Sequence, residues 1–153
     1  MKKNHQEVKP SRKGFVTNYP HFRYWKKPAV RDLLTEPPLN LYLHIPFCAQ
    51  KCAYCYYKTE RYKSPVQLEE YTEALSREIE LAGGQFNART RPVSSIYIGG
   101  GTPSLLSEEG IKKIAACIRG HFKVEDPEFT IEAEPRTITP AKVSAWKELG
   151  INR

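Results

Sequence analysis

"HIPFCAQKCAYCYY", residues 44–57, gathers three of the chain's four cysteines into eight positions. They are Cys48, Cys52 and Cys55, spaced C-x3-C-x2-C, with no fourth cysteine nearby. The run before them, "LNLYLHI" (39–45), is short, apolar and closed by Pro46, so the cysteine loop is expected to leave the end of a β-strand. Downstream, "SPVQLEEYTEALSREIELAGG" predicts a helix over 66–82. Ser64 serves as N-cap, Pro65 lies in the first turn and Gly83–Gly84 form the stop. Leu68, Tyr71, Leu75 and Ile79 recur at helical spacing and supply its buried face. "VSSIYIGG" (93–100) reads as a second strand. "SEEGIKKIAACIRGHF" (107–122) reads as a second helix capped by Ser107, with Ile111, Ile114, Ala115 and Ile118 facing inward. "EFTIEAEP" (128–135) is a third strand, and "TPAKVSAWKELG" (139–150) a third helix ended by Gly150.

Strand alternating with helix three times predicts an α/β fold of βα units around a parallel sheet. Ligands of such sheets bind beyond the carboxyl ends of the strands. The cysteine loop follows the first strand, "GGGTPS" (99–104) follows the second, and Glu132 and Glu134 lie near the end of the third. Three unusual features thus fall on one rim.

The 153 residues fit one domain of ordinary size, and no apolar run approaches the length of a membrane span. The first residues lack the apolar segment of a secretory signal, so the chain is expected to be unexported and cytoplasmic. In that reducing compartment, clustered cysteines bind metal or do redox chemistry more often than they form disulfides. The net charge of +7 belongs to one segment: residues 1–31 hold nine basic side chains against Glu7 alone, and the other 122 residues sum to −1. Residues 1–38 therefore read as a basic N-terminal extension. Its Tyr19, Phe22, Tyr24 and Trp25 interleave with the charge, but no nucleic-acid motif accompanies them, which favours a solubilising arm over a nucleic-acid surface.

A structural zinc site takes four protein ligands. His44 and Cys48 could complete "CAYC", yet His44 lies inside the expected strand and a distant second pair is missing. A [4Fe–4S] cluster held by three cysteines leaves one iron open, as a catalytic centre requires. The spacing and the rim position favour that cluster on Cys48, Cys52 and Cys55. Cys117, beside Ala115 and Ala116 on the second helix, reads as a small core residue.

C-x3-C-x-aromatic-C after a strand, followed by a GGGTP turn, resembles the radical S-adenosylmethionine (SAM) superfamily. "LYLHIPFCAQKCAYC", "IYIGGGTPS", "IEAEPRTIT" and "LGINR" together are similar to the branch of oxygen-independent coproporphyrinogen III oxidase and its haem chaperone-like relatives. The resemblance runs from about Leu41 to Arg153 and leaves residues 1–38 uncovered. It implies a partial parallel (β/α) barrel, of which residues 39–153 are the N-terminal part with about three βα units. The outer edge of the third strand is then expected to lack a partner.

The resemblance further implies that the three cysteines each hold one iron while S-adenosylmethionine chelates the fourth. One electron then cleaves the C5′–S bond to a 5′-deoxyadenosyl radical that acts on a tetrapyrrole or related molecule. A flavodoxin- or ferredoxin-like donor would supply the electron. Gly100, Gly101 and Thr102 would let the backbone approach the methionyl moiety, so bulk at Gly101 is expected to fill cofactor space and leave the thiolates intact. Glu132 would accept from the ribose hydroxyls or help hold the sulfonium charge. Tyr54 would lie near the adenine, and Tyr42 near the cluster. The decarboxylating oxidases carry a further cysteine where this chain has Tyr57. That difference favours a haem chaperone or another non-decarboxylating relative.

Overall fold

The structure, a computed structural model, describes residues 38–85 and 88–153. The basic extension expected over 1–38 lies, but for its last residue, outside the described residues. Strand β1 (Leu39–Ile45) pairs in parallel with β4 (Pro92–Gly100), and β4 pairs in parallel with β5 (Lys123–Ile131). The sheet order β1-β4-β5 follows the chain, so each crossover adds the next strand on the same side. Helix α1 (Pro65–Gln85) makes the first crossover and α2 (Glu108–His121) the second; α3 (Pro140–Glu148) follows β5. The expected α/β architecture of three βα units is what is found.

The core lies between the sheet and the helices. Period-two alternation turns Leu43 and Ile45 of β1, Ile96 and Ile98 of β4 and Phe129 of β5 toward Leu75, Ile79, Ile111, Ile114 and Ile118. The opposite face of β1 and β4 carries Tyr42, His44 and Tyr97. Val93 and Ile96 both reach the core although three residues apart, because adjacent Leu39 and Asn40 of β1 pair with Val93 and Ser95, an extra β4 residue that reverses the alternation.

Three boundaries differ from expectation. Helix α1 runs through Gly83–Gly84 instead of stopping there. A Cβ at Gly83 would stand 2.6 Å from the Cβ of His121, so the glycine permits close contact with the end of α2 and does not end α1. Strand β5 begins at Lys123, five residues early, since Pro92 and Val93 pair with Lys123 and Val124 ahead of Pro127. It also ends at Ile131, which leaves Glu132 and Glu134 beyond the strand. The outer edge of β5 is not bare at its end. Asn152 and Arg153 donate their N–H groups to Phe129 O, and Arg153 O accepts from Ile131 N–H, at 2.9–3.1 Å.

Helix ends follow local chemistry more closely. Ser107 Oγ accepts from Gly110 N–H at 3.0 Å, with Glu108 and Glu109 in the first turn of α2 and Arg119 and His121 in its last. Thr139 caps α3 in the same way, accepting from Lys142 N–H at 3.2 Å, and Gly150 ends that segment at φ +75°.

Candidate functional site

The cysteine loop is closed by a small ladder with no signal in the linear pattern. Strand β2 (Phe47–Cys48) pairs in parallel with β3 (Glu60–Arg61). Glu60 N–H donates to Pro46 O at 2.8 Å and Tyr62 N–H to Cys48 O at 2.9 Å. Phe47 anchors the base: its buried ring meets Tyr71 of α1 edge-to-face at 5.2 Å, and Tyr71 Oη donates to His44 O at 2.6 Å. Within the loop, Cys55 N–H donates to Cys52 O at 3.0 Å, so "CAYC" folds as a tight turn. Tyr54, between them, is 87% exposed, and its phenol is pushed up chiefly by a hydrogen bond with the Cys52 thiol.

The glycine turn after β4 packs onto this loop. Gly101 N–H donates to Ile45 O at 2.7 Å and Thr102 N–H to Phe47 O at 2.8 Å. A Cβ at Gly101 would lie 2.6 Å from Phe47 O and 2.9 Å from Cys48 Sγ. Gly100 has φ +119°, and its Cβ would meet Ile45 O at 2.8 Å, so this position needs glycine twice over. The close approach made by Gly100 and Gly101 is therefore to the base of the cysteine loop.

Glu132 lies just past β5, its N–H bonded to Ile98 O at 3.0 Å. Oε1 accepts from Tyr97 Oη at 2.6 Å and Oε2 from Gly100 N–H at 3.1 Å. Tyr97 stacks on Tyr42 with centroids 5.9 Å apart, and Tyr42 Oη pairs with His44 Nδ1 at 3.0 Å. Burial and the charge of Glu132 both push the Tyr42 phenol up. The next turn, Pro135–Thr137, is fastened to Pro103–Leu105 by Ser104, which is wholly buried. Ser104 Oγ bonds Thr137 Oγ1 at 2.5 Å and accepts from Glu134 N–H at 2.9 Å. Lys142 Nζ reaches Ser104 O at 2.7 Å and Thr137 O at 3.2 Å. Arg136 pairs with Glu134 at 2.8 Å, which holds the guanidinium firmly charged above the cleft.

These parts enclose an open cleft of about 580 Å³. The structure brings Cys48, Cys52, Cys55, Tyr54, Gly100, Gly101, Thr102 and Glu132 to its lining. Tyr42 is not on it; it faces the adjoining open side of the sheet, 60% exposed. Cys117 stands apart, half-buried on α2, its thiol donating to Ser76 O at 3.3 Å. Residues missed at the sequence level are Tyr97, Ser104, Arg136, Thr137 and Lys142. Alternation in "IYIGG" points Tyr97 away from the core, which is a usable signal, whereas Ser104 is joined to positions 30 or more away and leaves none.

All three loop cysteines are free thiols. A tetrahedral zinc ion would draw them to about 4 Å from one another. Among the described residues no three His, Cys, Asp or Glu side chains converge on a point that could hold a single ion. The donor set and the room beside it fit [4Fe–4S] with one iron left to a further ligand. No helix among the described residues is long and apolar enough to cross a membrane.

Comparison with known proteins agrees with this geometry. Residues 42–153 match the radical SAM superfamily. The heme chaperone HemW of Escherichia coli is 36% identical over 118 residues, covering 76% of this chain and 31% of its own length. An oxygen-independent coproporphyrinogen III oxidase of Cereibacter sphaeroides is 33% identical over 126 residues, covering 82% of this chain and 28% of its own length. The solved structure of coproporphyrinogen III oxidase (HemN) from Escherichia coli, a radical SAM enzyme, superposes with a TM-score of 0.79 at 30% identity. It covers 92% of this chain and 34% of that one. The chain thus spans about a third of the length of the relatives it matches.

Proposed function

The chain belongs to the radical SAM superfamily, and we propose that it forms the cofactor-holding part of a protein that reductively cleaves S-adenosylmethionine for chemistry on a tetrapyrrole or a related molecule. One observation carries the proposal: three free thiols, the glycine turn and an oriented carboxylate line a single cleft at the carboxyl ends of parallel strands. Cys48, Cys52 and Cys55 would hold a [4Fe–4S] cluster. When bound, such a cluster supplies the electron that breaks the C5′–S bond, yielding methionine and a 5′-deoxyadenosyl radical.

The chain's own residues orient and shield. The ladder of β2 on β3 and the turn at Gly100–Thr102 hold Cys48 at the cleft base. The "CAYC" turn presents Cys52 and Cys55. Glu132 accepts from the ribose hydroxyls, and Tyr54 packs beside the adenine. The setting is the reducing cytoplasm, with a flavodoxin- or ferredoxin-like electron donor.

A second reading also has support. Tyr57 stands where the decarboxylating oxidases carry a further cysteine, and several relatives are named heme chaperones. In that reading the same cleft belongs to a haem or cluster carrier that does not decarboxylate.

Anaerobic reconstitution with iron and sulfide tests the cluster. About four irons per chain are expected. Alanine at Cys48, Cys52 or Cys55 should abolish iron retention, and Cys117→Ala should leave it. Retention by any of the three variants, or loss in Cys117→Ala, overturns the ligand set. Adding S-adenosylmethionine to the reduced protein should change its electron paramagnetic resonance spectrum and release 5′-deoxyadenosine. An unchanged spectrum together with stoichiometric haem binding selects the carrier.

A further inference from the structure

Glu132 is held by two donors from its own chain, one on each carboxylate oxygen: Tyr97 Oη at 2.6 Å and Gly100 N–H at 3.1 Å. A carboxylate offers about four acceptor positions. Each oxygen of Glu132 therefore keeps one, so two neighbouring oxygens can each still accept, on a carboxylate that cannot rotate without breaking both bonds. Two neighbouring acceptors of this kind match two neighbouring O–H donors. Tyr97 is itself braced. It projects from the open face of β4, stacks on Tyr42 at 5.9 Å and 25°, and Tyr42 is tied to His44 at 3.0 Å.

We infer that Tyr97 is a positioning residue that, with the Gly100 amide, fixes Glu132 as an acceptor for a vicinal diol. The inference rests on the proposed reading of Glu132 as the ribose contact, and adds the side chain that makes the contact directional. Without the phenol, only one oxygen is tied and the carboxylate can turn about its last bond. The Tyr97 phenol is pushed up chiefly by its hydrogen bond to Glu132, as expected of a phenol that donates to a carboxylate.

The test is a double-mutant cycle on the anaerobically reconstituted chain, with S-adenosylhomocysteine and its 2′-deoxy analogue as probes in calorimetry. Tyr97→Phe should weaken S-adenosylhomocysteine about fivefold in the parent, and less than about twofold in Glu132→Ala, where nothing is left to position. It should also narrow the preference for the diol over the deoxy analogue. Equal losses in both backgrounds mean that Tyr97 is merely structural, and overturn the inference. So does a Tyr97→Phe protein that binds like the parent while Glu132→Ala binds weakly, a result that leaves the ribose reading intact. Glu132→Ala binding like the parent defeats the ribose reading and the diol acceptor together. A second readout needs no ligand. In NMR of chain carrying 13C-labelled tyrosine, with Tyr97 assigned by its loss in Tyr97→Phe, Glu132→Gln should bring the Tyr97 titration down toward the ordinary phenol range. An unmoved titration overturns the pairing.

Discussion

Alanine at Gly101 adds one methyl group where no room exists. The new carbon would stand 2.6 Å from Phe47 O, 2.9 Å from the Phe47 carbonyl carbon and 2.9 Å from Cys48 Sγ. Carbon and carbonyl oxygen ordinarily keep about 3.3 Å apart, so the turn and the cysteine loop must separate by about 0.7 Å. Neither side yields easily. Phe47 O accepts from Thr102 N–H at 2.8 Å, Gly101 N–H is committed to Ile45 O at 2.7 Å, and the Phe47 ring is packed on Tyr71. Overpacking costs about 1–3 kcal/mol, and each weakened backbone bond about 1 kcal/mol more. With two such bonds the sum is about 3–5 kcal/mol, or about 15 °C in Tm for a body of this size. Cys48 moves with Phe47, so iron retention falls as well. The assay is thermal and urea unfolding of the iron-free chain, then iron content after reconstitution. Gly84→Ala is the control, since a Cβ there meets nothing within 4 Å inside α1. It should be neutral or stabilise by up to about 1 kcal/mol. A Gly101→Ala protein that melts with the parent and holds the same iron refutes the packing. It would restore the expectation that bulk at this glycine fills the cofactor's space and leaves the thiolates intact.

Ser104→Ala should lower stability by about 1–3 kcal/mol in urea titration, because Glu134 N–H and Thr137 Oγ1 lose a buried partner; a change within about 0.5 kcal/mol would mean that Lys142 suffices to hold the two turns together. The Glu73 carboxyl is held below its usual value of 4.5, chiefly by a hydrogen bond from Lys113 across α1 and α2. Its folded pKa is depressed, so its contribution is present above pH 4.5 and is lost as pH falls through the folded value. Glu73→Gln should therefore lower Tm slightly at neutral pH, by little because this pair is exposed, and converge with the parent at low pH, which flattens the acid side of the Tm–pH profile. An acid limb as steep as the parent's would show that the pair carries none of the acid sensitivity.

Much of the fold can be read along the chain because its cause is local. Strand alternation in "LYLHI", helical spacing of Ile111, Ile114 and Ile118, and the caps at Ser107 and Thr139 each need only a few neighbours. The βα order then places the cysteine loop, the glycine turn and Glu132 on one rim, since parallel strands send all their carboxyl ends the same way. The cysteine loop was legible for the same reason: its spacing lies within one segment. Contacts between distant segments were not legible. Gly83 looks like a helix stop until His121 lies against it. Pro127 argues against a strand until β4 supplies partners for Lys123 and Val124. Gly101 reads as space for a ligand until Phe47 and Cys48 occupy that space. What the sequence by itself determined is the order of strands and helices and which end of the sheet gathers the cysteine loop, the glycine turn and Glu132, because propensity and spacing are properties of a segment. Only the tertiary structure decided that Gly101 lies against Phe47 and Cys48, and that Tyr97 and Gly100 both donate to Glu132. Close packing and hydrogen-bond direction exist only between segments that the fold has brought together.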